Sequence, residues 1–162
     1  MAPLNSIERL DSFLNGLALL ASLHGEERFW FSAVTLPRGE TPLETLLATH
    51  KKYVRPHASM LEGRLPRLDL LDRTGVEEML GDWFLRHMRP DRPTQSRHRL
   101  CEITDDAYDG IEMILGGIEA SYAYRLDPQI YNELRQEIID QQWILLLGPT
   151  SAVLIGMAVT PR

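Results

Sequence analysis

Trp143 to Val159, WILLLGPTSAVLIGMAV, is the longest apolar run in this chain, and its reading decides the fold. Its seventeen residues sit at the lower limit for a membrane span. Gly148-Pro149-Thr150-Ser151 breaks its middle. We read it as the end of a helix followed by a buried strand or short helix, belonging to a core and not to a membrane. Just upstream, Asp127-Pro128 has the form of a cap followed by Pro at the first helical position. Ile130, Leu134, Ile138, Gln141 and Leu145 then recur at helical spacing, which predicts a long helix stopped by Gly148-Pro149.

Outward from that run, helical signals dominate. Thr104 or Asp105 is expected to start an amphipathic helix. Tyr108, Ile111, Ile114, Leu115, Ile118 and Tyr122 would lie on one side, with Asp105, Asp109, Glu112 and Glu119 on the other. Gly110, Gly116 and Gly117 weaken such a helix, each by about 1 kcal/mol against Ala, unless a neighbouring helix or ligand approaches closely there. Near the start of the chain, Asn5 and Glu8 fit a capping box ahead of Ile7, Leu10, Leu14, Leu17 and Ala21, which mark one helical face that Phe13 and Leu20 are expected to widen. Thr41-Pro42-Leu43-Glu44 is the sharpest start signal. It opens a helix through Leu46, Leu47, His50 and Val54 that Pro56 should break, with a second piece ending near Gly63. Thr74-Gly75-Val76-Glu77 is expected to open another, carrying Met79, Leu80, Trp83 and His87. The segment 28–35, RFWFSAVT, and the segment 152–159 fit either a strand or a helix.

Together these signals predict a mainly α fold: one domain over 1–162, a bundle of five to six helices, with room for a short C-terminal strand or hairpin. An α+β fold is the alternative. No repeat or low-complexity tract divides the chain.

Charge is unevenly spread. The stretch Arg86–Arg99, RHMRPDRPTQSRHR, has five arginines against Asp91. Residues 1–85 hold nine basic and twelve acidic side chains, and residues 100–162 hold three and ten. A basic connector, kept non-helical by Pro90 and Pro93, is thus expected between two acidic halves. The net charge of −6 argues against a nonspecific nucleic-acid binder, and none of the expected helices is basic enough to read DNA. Cys101 stands alone, so no internal disulfide forms; it is expected to be a small buried hydrophobe. Met1–Ala21 has no basic n-region, and a cytoplasmic protein is expected.

Chemistry has few candidates. His50, His57 and His87, with Glu62, are the side chains from which a metal or cofactor site would be drawn, but Glu-x-x-His and His-x-x-x-His spacings are absent. Without them we predict no cofactor. There is no Lys-Ser/Thr after Gly116-Gly117 to make a phosphate loop, and no Gly-x-Ser-x-Gly. Arg92 and His98, with five residues between them, resemble the Arg-x4–6-His element of HEPN-type ribonucleases. That resemblance implies an all-helical domain acting on RNA phosphate; here the element lies beside Pro93, and no polar residue follows the Arg. The remaining reading is docking. Arg86, Arg89, Arg92, Arg97 and Arg99 offer forks for carboxylates, and Asp105, Asp109 and Glu112 offer the carboxylates, within one chain or between copies. A non-enzymatic adaptor or small subunit that binds a protein partner or itself is the expected function.

Overall fold

The computed structural model describes residues 3–23, 26–53, 65–85, 93–126 and 138–161, with side chains placed outside 49–53 and 93–98. Its elements, in order, are α1 (Ile7–Ser22), β1 (Glu27–Pro37), α2 (Pro42–Tyr53), β2 (Asp69–Leu71), α3 (Arg73–Leu85), α4 (Pro93–Leu115), β3 (Ala120–Tyr124), β4 (Asp140–Leu147) and β5 (Ser151–Pro161). The five strands form one antiparallel sheet in the order β1-β5-β4-β3-β2. The fold is therefore α+β, and the expected mainly α bundle is wrong.

The run 143–159 is the reason. It is a hairpin of two long strands: β4 ends at Leu147, the Gly148 N–H donates to the Ser151 carbonyl, and β5 returns. β4 and β5 are interior strands buried on both faces. Ile144, Leu146, Val153, Ile155, Met157 and Val159 belong to one core, while Leu145, Leu147, Ala152 and Leu154 belong to the other. A strand buried twice shows no period-two alternation, so its continuous apolar run imitates a buried helix. The long helix expected to pass through Gln141 and Leu145 is accordingly β4 from Asp140 onward; its upstream part lies outside the described residues. Segment 28–35 is β1, where exposed Arg28, Trp30 and Ser32 alternate with buried Phe29, Phe31 and Ala33.

On the first face, α1, α3 and α4 pack over the sheet, with Phe31 meeting the rings of Trp83 and Phe84 edge-on or tilted at 6.3 and 5.6 Å. On the second, α2 sets Leu46 against Leu36, Leu145 and Leu154. Trp143 also lies there, stacked on Tyr124 at 6.1 Å, and fills the place where a Cβ on Gly156 would stand.

β1 is an edge strand, and α1 closes its open side. The Asp11 carboxylate accepts from the Ala33 N–H at 2.9 Å, and the Ser22 hydroxyl accepts from the Phe29 N–H at 2.9 Å while donating to the Ala18 carbonyl. Edge N–H groups thus bond to side chains of this chain instead of another strand.

Helix starts were read to within a few residues. Thr41 caps α2 as expected, its hydroxyl accepting from the Glu44 N–H. α1 is capped by Ser6, not Asn5, and α3 by Asp72, whose carboxylate accepts from the Gly75 N–H at 2.7 Å. The larger error is α4. It begins at Pro93, about ten residues before the expected start, because Pro fits the first position of a helix as readily as it breaks an interior. It ends at Leu115, and Gly116 and Gly117 at φ of 72° and 116° turn the chain out of it. Gly110 does have a close neighbour, the Leu4 carbonyl oxygen, 2.2 Å from where a Cβ would be.

Two substitutions test this account by denaturant unfolding. Gly110→Ala is expected to destabilise by about 1–3 kcal/mol despite Ala's better helix propensity, since Leu4 must move. Asp11→Ala should cost about 1–3 kcal/mol by leaving the Ala33 N–H without its partner, with Asp11→Asn recovering part of that.

Candidate interaction surface

A charged cluster joins α3 to α4. Arg73, at the start of α3, donates from Nε to Glu77 at 3.0 Å and from Nη2 to Asp109 at 3.0 Å, with Asp105 at 3.7 Å. Its guanidinium lies 4.5 Å from the centre of the Tyr108 ring. Spacing of four places Glu77 one turn along the same helix, and Asp105 and Asp109 do the same on α4, so one cation faces three carboxylates. Burial raises the Glu77 carboxyl above its ordinary value, a hydrogen bond shared with Asp105 adds to this, and Arg73 opposes it. Burial would lower Arg73, but its bonds to Glu77 and Asp109 outweigh that and the guanidinium is held more firmly protonated.

Along α4 the outward positions are acidic. Asp105, Asp106 and Asp109 are exposed and Glu112 is half-buried, while Leu100, Thr104, Ala107, Tyr108, Ile111 and Leu115 face inward. With α4 starting at Pro93, Asp105 and Asp106 are mid-helix, where the helix dipole does not favour their charge. Glu119 leaves the row altogether: it lies beyond the helix and pairs with Arg38, which also donates to the Gly148 carbonyl at 2.8 Å.

The basic partners expected from sequence are only partly in view. Arg86, Arg89 and Arg92 lie outside the described residues, Arg97 is in α4 without a described side chain, and Arg99 is exposed. The arginine that meets Asp105 and Asp109 is Arg73, which sequence reading passed over; its spacing to Glu77 was the available signal. His57, Glu62 and His87 lie outside the described residues, and His50 is in α2 without a described side chain. Among the described residues no group of three His, Cys, Asp or Glu is arranged to hold a metal. His98 is in α4, and the all-helical setting implied by the ribonuclease resemblance is not what surrounds it. Cys101 is exposed on α4, against expectation, because its helix position turns it away from the inward row. Among the described residues no helix is long and apolar enough to cross a membrane.

Comparison with known proteins adds the fold alone. No protein-family model and no curated protein matches the chain. Two crystal structures of citrus MAF1, in different space groups, are similar. Each has a TM-score of 0.55, at 10% and 12% sequence identity, over 96% of this chain and 98% and 96% of theirs. At that identity the likeness is one of α+β architecture.

Glu77 gives the cluster a pH signature. A raised folded value means that its stabilising contribution is present in full below the ordinary value of 4.5 and is lost as pH climbs through the folded value. Wild type should therefore gain thermal stability relative to Glu77→Gln when pH is lowered from 7 towards 5. A difference that does not change with pH would place Glu77 outside such coupling.

Proposed function

We propose that this protein works by protein–protein contact, as an adaptor or small subunit that joins a homo- or hetero-oligomeric assembly. The observation that carries the reading is the exposed acidic row of α4 beside a basic stretch of sequence. Asp105, Asp106 and Asp109 project from α4, Arg73 supplies one guanidinium to Asp105 and Asp109, and the sequence stretch 86–99 holds five more arginines. Separate exposed ion pairs contribute only about 0–1 kcal/mol each, so folding alone gives weak reason for the segregation. Across an interface the same charges set register and speed encounter. The partner is expected to be a second copy or a protein offering complementary charge.

The test is light scattering on a sizing column, at low and high salt, with absorbance through the visible and metal analysis of the peak. Arg92→Glu combined with Arg97→Glu should disturb assembly while leaving the melting temperature within about 2 °C of wild type. Salt should weaken the wild-type assembly in the same direction. Unchanged assembly in the double variant would remove the stretch 86–99 from the proposed contact. Stoichiometric metal or a visible absorption band would replace this proposal with a cofactor-binding one.

A further inference from the structure

Three leucines at the end of α1 remain on the surface: Leu19, Leu20 and Leu23 keep 69%, 59% and 68% of their area exposed. With Gly16 they occupy positions i, i+3, i+4 and i+7, a single stripe down the helix. From Ser12 to Leu23 the helix has no charged residue, in a chain whose net charge is −6.

Gly16 is the second observation. Among the other helical glycines, a Cβ on Gly110 would collide with the Leu4 carbonyl, one on Gly75 would stand a tight 3.2 Å from the Asp72 carboxylate, and one on Gly81 would be in ordinary contact with Leu100 at 3.4 Å. At Gly16 no described residue comes within 4 Å of where a Cβ would stand. A glycine in a helix interior weakens it, and here nothing in the fold uses the space gained.

The order of sizes along the stripe is self-complementary. Reversing it about its midpoint exchanges Gly16 with Leu23 and Leu19 with Leu20. Two copies of α1 packed antiparallel about a two-fold axis would set each Leu23 into the space over the partner's Gly16, with the middle leucines side by side. We infer that the Gly16–Leu23 stripe of α1 is an isologous contact for a second copy of this chain. Charge favours that occupant: two copies of an acidic protein repel over most of their surface, and this uncharged stripe is where they approach without a like-charge penalty. Area sets the strength. At about 100 Å² per exposed leucine, six leucines supply roughly 600 Å², below the ~1,200 Å² of standard interfaces, so the dimer is weak and reversible.

This contact is separate from the charged one proposed above, and sedimentation velocity on the full chain over a wide concentration range distinguishes them. Wild type should pass reversibly from monomer to dimer, and raised salt should leave that step unchanged or strengthen it. Gly16→Leu fills the space and suits a helix better, so it should raise the dissociation constant at least about tenfold while leaving the melting temperature equal or higher. Leu20→Asp should abolish the dimer. Exchanging the two residues, Gly16→Leu with Leu23→Gly, restores the size order and should recover it. A monomer at every concentration overturns the inference, as does a dimer that Gly16→Leu and Leu20→Asp leave intact. A dimer lost in salt and in the Arg92/Arg97 variant, yet indifferent to these changes, would overturn it while supporting the charged contact.

Discussion

Burial of the β4–β5 hairpin on both faces is the constraint on which the other elements depend. Its side chains alternate between two cores, so neither face can be left to water. Three helices cover one face, and α2 with the Trp143–Tyr124 stack covers part of the other. Close packing then decides small details elsewhere. Gly156 is bare because Trp143 lies across it, Gly148 because Leu115 stands 2.8 Å from where a Cβ would be, and Gly110 because the chain entering α1 crosses α4 there. Each absence of a side chain records the approach of another element.

A sheet with two such interior strands still has two edges, and they are handled differently. β2 is three residues long, which offers little template for another strand. β1 is eleven residues long, and α1 lies against it with Asp11 and Ser22, three turns apart, bonded to its outward N–H groups. α1 is thereby fixed in rotation. With Leu10, Leu14 and Ala18 turned to the core and Asp11 to the edge, Leu19, Leu20 and Leu23 have no route inward.

How much of this was legible from sequence follows from what each segment packs against. Helices with one wet face were found, because their periodicity survives: α1, α2, α3 and the later part of α4. Capping chemistry located Thr41 correctly and missed Ser6 and Asp72 by one or two residues, where several polar residues compete for the same place. Of the central strands, β4 was misread as a helix and β5 was left open between strand and helix, because burial on two sides erases the alternation that marks a strand. Of the candidate surface, the carboxylates of Asp105 and Asp109 were identified, but their described partner was not. Arg73 reaches them through the packing of α3 on α4, a contact between residues 36 apart that no local pattern encodes.

The departures from local rules lie on the surface and not in the core. Asp105, Asp109 and Glu112 repeat like charge at spacings of four and three, which costs a helix about 0.2–0.5 kcal/mol per pair, and among the described residues Arg73 pairs with Asp105 and Asp109. Gly16 weakens α1 with no described neighbour within 4 Å of where a Cβ would stand, whereas Gly110, Gly148 and Gly156 each have one that a Cβ would strike. Gly110, Gly148 and Gly156 are explained by neighbours in the same chain; among the described residues Gly16 has no such neighbour, and Asp106 and Glu112 gain nothing from Arg73's pairs with Asp105 and Asp109. Local inconsistencies without internal compensation are expected where a protein meets something outside itself. One is charged and the other uncharged, so the two proposed contacts differ physically: a contact through the charged row would act at a distance and depend on salt, whereas one through the leucine stripe would act only at close range.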